Sequence, residues 1–396
     1  MPAEVPLPLD TGRLRHGADP VLDGIGRPGS RELLPTPALV CDVDLLEANL
    51  SRMASLAAAS GVALRPHAKT HKSAFVAGRQ LAHGAVGLAC ATTSEADAIV
   101  GRLRRDGPVD PISVLVTSPT AGPAAARRLA GLATRCDLLV AIDHPDGVDE
   151  LGAAVAEGRG TLGVVCDVDV GLGRTGVSGP AGARAVVDRI SRHSGLWLAG
   201  VQGYAGQNQH LPSRDLRAAA TGEAGRRLAA VVDALEADGH PVALRTGGGT
   251  GTIGPDLDRG VLNELQPGSY AFMDREYRDA LGDDPVATFG QSLTVATTVV
   301  SANQPGFVTV DAGLKALATD AGAPSVVGHA DSAYHFFGDE HGMVTRTPGA
   351  TFGRGDRLDL VPPHCDPTVD RYDVLWLVRG DTVVGVADVD ARGCSQ

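Results

Sequence analysis

Cysteine is sparse and unpatterned. The six residues (Cys41, Cys90, Cys136, Cys166, Cys365 and Cys394) form no Cys-x-x-Cys pair and no dense framework. This excludes a disulfide scaffold and suits a reducing, cytoplasmic compartment. Four of them lie within or beside apolar runs, where free cysteine is a small buried hydrophobe. No stretch approaches the roughly 18 consecutive apolar residues of a membrane span. The N-terminus, MPAEVPLPLD, has no basic region followed by an apolar run, so a soluble, unprocessed protein is expected. Positive charge is in deficit: 35 Lys and Arg face 47 Asp and Glu, a formal charge of −12. That speaks against a nucleic-acid or anionic-membrane partner. A phosphate would have to be held locally, by backbone amides or a few placed cations. Internal repeats and low-complexity tracts are absent as well.

What is present is alternation. Residues 1–33 form an irregular, Pro- and Gly-rich lead-in that could pack on a later domain. Eight short apolar runs follow, at 62–69, 85–91, 112–118, 137–143, 161–169, 196–204, 242–246 and 262–267. Between them lie segments of helical composition such as 94–105, 179–193 and 214–238, and a further helix at 42–60 precedes the first run. Strand and helix in alternation predict a parallel sheet, and eight units predict a (β/α)8 TIM barrel over 34–285. A doubly wound sheet is the alternative, but its G-x-G-x-x-G turn is missing after the first strand, which ends RPHAKTHK. After about residue 285 the strands SLTVATTVV, FVTVD, RLDLV, DVLWLV and TVVGVADV follow one another with Gly and Pro turns. They predict an antiparallel β domain over 286–396.

Barrel chemistry sits at the C-terminal ends of the strands. In the first, period two places Arg65, His67 and Lys69 on one inward face. Three inward bases need an anion or cofactor to receive them, unless the strand end is simply solvated. The fifth leads into Asp167 and a glycine-rich turn that exposes Arg174; a surface arginine on an ordinary loop is the plainer reading. The sixth ends at Tyr204 and runs on to His210. The seventh ends Arg245-Thr246-Gly247-Gly248-Gly249-Thr250-Gly251-Thr252, where amides and hydroxyls can converge on a phosphate. Ser269 and Tyr270 form a second small-residue corner. A lysine able to form an imine beside a phosphate site is what covalent pyridoxal 5'-phosphate binding requires. In the β domain, His364 and Asp366 stand at i and i+2; on an extended segment they would share a face and could hold one metal ion, or simply bond each other. Asp339, Glu340 and His341 read as a solvated turn.

The series RPHAKTHK, VDVGLGRTGV, QGYAGQNQH, RTGGGTGT, NELQPGSYAFMD, DAGLKAL and HCDPTVD resembles that of the D-threonine aldolase/D-serine dehydratase family, from about Pro35 to about Val389. These are fold-type III pyridoxal-phosphate enzymes related to alanine racemase. The resemblance implies that Lys69 carries the cofactor as a Schiff base. It also implies that Arg174 and Tyr204 lie by the cofactor ring with His67 nearby, while Thr246, Gly248, Gly249, Ser269 and Tyr270 hold its phosphate. His364 and Asp366 would bind a divalent metal (Mn, Mg or Zn). Asp rather than Cys at 366 leans toward the aldolase branch, whereas Asp370 replaces an Asn often found there. The expected activity is retro-aldol cleavage of a D-3-hydroxy amino acid (D-threonine-like or 3-hydroxy-D-aspartate-like) to glycine and an aldehyde, with His210 as base. A D-serine or D-3-hydroxyaspartate dehydratase is the runner-up, and a non-catalytic cofactor carrier the outsider. Assembly as a homodimer is expected.

Overall fold

The computed structural model describes residues 7–8, 19–107, 112–158, 160–282, 284–346 and 351–396. Eight parallel strands make the barrel: β2 (Ala63–Leu64), β3 (Leu88–Cys90), β4 (Ser113–Val116), β5 (Asp137–Ile142), β6 (Leu162–Asp167), β7 (Leu196–Gly203), β8 (Leu244–Gly247) and β9 (Glu264–Leu265). An earlier strand, β1 (Ala38–Asp42), lies elsewhere. The ladder runs β2-β9-β8-β7-β6-β5-β4-β3. Its ends meet through Val86 N–H to Leu64 O and Ala89 N–H to Pro66 O, both at 2.9 Å. Strands covered by helices outside and side chains inside read as continuous apolar runs, and β6, with every residue buried, shows why the pattern was legible. Three of the longer helices start on side-chain caps: Asp42 for Val43–Ala59, Thr92 for Thr93–Asp106 and Ser213 for Arg214–Ala237. No helix among the described residues is long and apolar enough to cross a membrane.

The second sheet has nine strands: β1, β10 (Leu293–Ser301), β11 (Phe307–Val310), β12 (Ser325–Val326), β13 (Tyr334–Phe336), β14 (Gly342–Thr345), β15 (Arg357–Val361), β16 (Val374–Arg379) and β17 (Thr382–Asp388). Here a boundary at residue 34 gives way. β1 pairs antiparallel with β10 and parallel with β16, so 38–42 completes the β domain rather than opening the barrel. The described part of the lead-in packs on the same sheet, through Gly26 N–H to Val383 O (2.8 Å) and Arg31 N–H to Asp381 O (3.0 Å).

Inside the barrel, an apolar floor of Leu115, Val165 and Ala199, backed by Leu139 and Leu244, lies below a polar layer. Arg65 Nε donates to Glu264 Oε1 (2.9 Å) and its Nη1 to Ser113 Oγ (3.0 Å). Thr246 Oγ1 donates to the same Glu264 oxygen (2.8 Å), and Gln266 Nε2 donates to Thr246 Oγ1 (2.8 Å) and Gln202 Oε1 (3.3 Å). Gln202 Nε2 continues to Asp167 Oδ1 (3.0 Å), whose Oδ2 accepts from Thr175 Oγ1 (2.8 Å). Gly87 makes room for this layer, since a Cβ there would sit 2.3 Å from Arg65 Nη1. The anion that receives Arg65 is therefore Glu264, a residue of the chain itself.

Breaking one half of this pair strands a buried charge. Glu264→Leu should lower unfolding stability by about 3–5 kcal/mol in chemical denaturation, and adding Arg65→Met should recover most of the loss.

Candidate active site

Pro66 has no N–H to give the ladder, so the first strand stops well before residue 69. The expected strand at 62–69 shrinks to Ala63–Leu64, and Lys69 lies in a 3-10 turn, Ala68–Thr70. His67 builds that turn. Its Nδ1 accepts the Lys69 N–H (3.4 Å), which leaves Nε2–H to donate to Thr117 Oγ1 (3.1 Å). Burial first, and then the Lys69 charge, push the imidazole down to about 3, so it stays neutral. His67 thus positions Lys69.

The Lys69 ammonium pairs with the Asp366 carboxylate, which reaches across from the β domain. Burial opposes the lysine's charge, but Asp366 outweighs it, and the ammonium ends above the ordinary lysine value. Burial likewise works against Asp366, yet Lys69 and His364 hold it well below the usual carboxylate range. Three residues on, Lys72 adopts a left-handed backbone (φ 50°) and its Nζ meets Asp370 Oδ1 at 2.6 Å. Two lysines on one turn therefore grip two aspartates one helical turn apart. The β-domain segment is not extended beyond His364, as a shared face for 364 and 366 would need; a helix, Cys365–Val369, begins directly after it. Asp274 forces that start. Its Oδ2 accepts Cys365 N–H (2.8 Å) and its Oδ1 accepts Tyr277 N–H (2.9 Å). Cys365 is fully buried, and burial pushes its thiol up.

His364 donates Nδ1–H to Asp320 Oδ2 at 2.6 Å, which leaves Nε2 with its lone pair. Burial lowers its proton affinity, but Asp366 and the Asp320 bond raise it more. His210 lies in the same field: burial lowers its pKa, Glu276 opposes this, and His364 and Lys69 add to it. Its Nδ1 is 3.6 Å from Glu276, its ring centroid is 4.4 Å from that of Tyr277, and its Nε2 is buried with no protein partner. Asp320 and Asp274 escaped sequence reasoning, because a single aspartate in a loop carries no pattern. Among the described residues, no group of three or more His, Cys, Asp or Glu side chains gathers as a metal shell.

The remaining expected residues divide. Arg174 Cζ lies 5.6 Å from the Tyr204 ring centroid, so the loops after β6 and β7 meet. Gly248 adopts φ +70°, and a Cβ there would stand 2.7 Å from Asp256 Oδ2. Gly249 lies against Gln209. Thr246 spends its hydroxyl on Glu264 and Gln266 in the barrel interior. The Tyr270 hydroxyl accepts from Gln80 Nε2 (3.3 Å) and the Tyr270 N–H donates to Thr250 Oγ1 (3.1 Å), while Ser269 beside it is buried. Asp339, Glu340 and His341 are exposed, with Glu340 and Lys315 as an ion pair.

Burial pushes two carboxyls near the mouth, Glu95 and Asp256, up to about 7. Native protein then binds more protons than unfolded chain between the ordinary carboxylate range and pH 7, so each contribution is full below that window and lost as pH rises through it. Glu95→Gln and Asp256→Asn should therefore each gain melting temperature relative to the parent at pH 8, by about 2 °C or more over their difference at pH 5.

Residues 41–276 match the family described as “Alanine racemase, N-terminal domain”, and 292–378 match the “Putative serine dehydratase domain”. A D-threonine aldolase of Arthrobacter sp. is 38% identical over 91% of this chain and 93% of its own length. A 3-hydroxy-D-aspartate aldolase of Paracoccus denitrificans is 38% identical over 91% and 92%. The crystal structure of D-threonine aldolase from Filomicrobium marinum superposes with a TM-score of 0.87 at 36% identity, covering 92% of this chain and 98% of that one. With a barrel whose mouth lysine is met by a carboxylate from a β domain, the chain belongs to the alanine racemase-like family, in the group that joins this barrel to a serine dehydratase-type domain.

Proposed function

We propose that this protein is a carbon–carbon lyase that uses pyridoxal 5'-phosphate to cleave a D-3-hydroxy amino acid into glycine and an aldehyde. The observation that carries this reading is the convergence of Lys69, Asp366, His364 and His210 on one mouth between two domains. Pyridoxal phosphate, when bound, supplies an electron sink for the charge left on Cα. The residues present fit it. Lys69 offers the amine, and the Arg174 guanidinium stands over the Tyr204 ring where the loops after β6 and β7 meet. Two buried polar atoms, Asn208 Nδ2 and His210 Nε2, have no protein partner and suit a bound group. A divalent metal (Mn, Mg or Zn) would be held by His364 and Asp366, with water or substrate filling its other positions, and would polarise the 3-hydroxyl.

The chain's own residues supply the rest. Glu276 faces Nδ1 of His210 and so favours the tautomer whose Nε2 carries the lone pair. Burial, His364 and Lys69 hold His210 neutral, which is the form a base needs to take the hydroxyl proton. Asp366 stays ionised whichever cation faces it. Lys72 and Asp370 keep the Lys69 turn docked on the β domain.

Purified protein incubated with D-threonine, D-serine and 3-hydroxy-D-aspartate should yield glycine and an aldehyde. Keto acid and ammonia instead would make it a dehydratase, and no turnover of any of them would sink the reading. A chelator should abolish cleavage, and Mn, Mg or Zn should restore it. Lys69→Ala should remove both activity and the absorption of the covalently bound cofactor. His210→Asn should lower kcat by about 10²–10⁴ with little change in KM.

A further inference from the structure

The loop after β7 and the loop after β8 are joined through one side chain. Gln209 is 1% exposed and uses both ends of its amide. Its Oε1 accepts Gly251 N–H at 2.9 Å, and its Nε2 donates to Thr252 Oγ1 at 3.1 Å and to Ala205 O at 3.3 Å. Thr252 Oγ1 in turn accepts Gly249 N–H (3.3 Å) and donates to Asp256 Oδ2 (2.6 Å). The backbones are as close as glycine permits. A Cβ on Gly249 would stand 2.5 Å from Gln209 Oε1, and one on Gly251 would stand 1.9 Å from the Gln209 carbonyl oxygen. Glycine at 249 and 251 is thus explained by contact with Gln209.

On the β7 side, Gln209 is flanked by two residues whose polar atoms are buried and unpaired, Asn208 Nδ2 and His210 Nε2. The segment has little structure of its own. It is a three-residue 3-10 turn, Gly206–Asn208, too short to hold its register unaided. Asn208 N–H bonds Ala205 O (3.1 Å) and Gln209 N–H bonds Gly206 O (3.2 Å); beyond His210, Arg217 Nη1 holds Leu211 O (2.8 Å). The hydrogen bonds of Gln209 are what fix this turn to the glycine loop.

We infer that Gln209 is a positioning residue that couples the loop after β8 to His210: a phosphate seated beside this loop, whose Gly249 and Gly251 amides are already bonded within the chain, sets the loop, and Gln209 passes that setting to its neighbour in the chain. The inference rests on the functional reading above. Coupling of this kind is reciprocal, so whatever fixes the His210 turn also tightens anion binding.

The test uses the full chain freed of cofactor, with pyridoxal 5'-phosphate, pyridoxal (which lacks the phosphate) and inorganic phosphate as probes. Gln209→Ala removes the amide, and Gln209→Met does so at nearly constant volume, in case the alanine variant does not fold. Loss of the two hydrogen bonds to the glycine loop should raise the Kd for pyridoxal 5'-phosphate about tenfold or more, while that for pyridoxal changes by less than about threefold. Inorganic phosphate should slow the modification of His210 by diethyl pyrocarbonate, followed on its own peptide by mass spectrometry, in the parent protein. It should leave that rate unchanged in the variants. A purely structural role for Gln209 would weaken both vitamers alike and would not remove the response of His210 to phosphate. Equal pyridoxal 5'-phosphate affinity, or an intact response in a folded variant, overturns the coupling. A parent protein that binds neither pyridoxal 5'-phosphate nor phosphate overturns the functional reading and the coupling together.

Discussion

The pairing of Lys69 with Asp366 is the contact on which the site depends. The Asp366 carboxylate is largely out of water and the Lys69 ammonium partly so, and the carboxylate is not tolerable there unpaired. The lysine comes from the barrel and the carboxylate from the β domain, so docking the domains and building the site are one event. The second pair, Lys72 with Asp370, repeats the grip one turn further along both elements. Chain topology reinforces it. β1 lies between β10 and β16, so the β sheet is complete only when segments from both sides of the barrel have come together.

The barrel interior shows why inward charge is poor evidence for chemistry when taken alone. Arg65, His67 and Lys69 end with three different fates. Arg65 is neutralised by Glu264 within the polar layer, at 6% and 4% side-chain exposure. His67 is kept neutral by burial and spends both nitrogens locally. Lys69 alone keeps its charge at the mouth. Position at the strand end separates them: residues further down the strand are sealed by the barrel, and only the turn above it opens to the second domain.

This difference marks what could be read from the sequence. The alternation of buried apolar strands with capped helices is encoded locally, so the eight-unit barrel was legible, as was the shift to antiparallel strands after residue 285. The placement of Lys69, Arg174, Tyr204 and the glycine loop just beyond strand ends was legible, because the strands that precede them are locally encoded. The place of β1 was not, since ALVCD has the composition of any buried strand and only its partners assign it to the second sheet. The register of His364 and Asp366 was misread because Asp274, about 90 residues earlier, draws the Cys365 amide into a helix start. Asp320 and Glu264 are single carboxylates whose roles exist only through partners distant in sequence.

The two histidines of the mouth complete the logic. Both are partly buried, and burial alone would lower both. His364 is carried upward by Asp366 and Asp320, whereas at His210 burial, His364 and Lys69 outweigh Glu276 and Asp366. Environments that push neighbouring groups apart in proton affinity assign them different work. In the proposed reaction His364, oriented by a carboxylate on Nδ1, would present Nε2 to a cation. His210, with a buried Nε2 lacking any protein partner, would receive the proton. The docking that joins Lys69 to Asp366 also brings both histidines into the field of that pair, where burial decides the direction for His210 and the carboxylates decide it for His364.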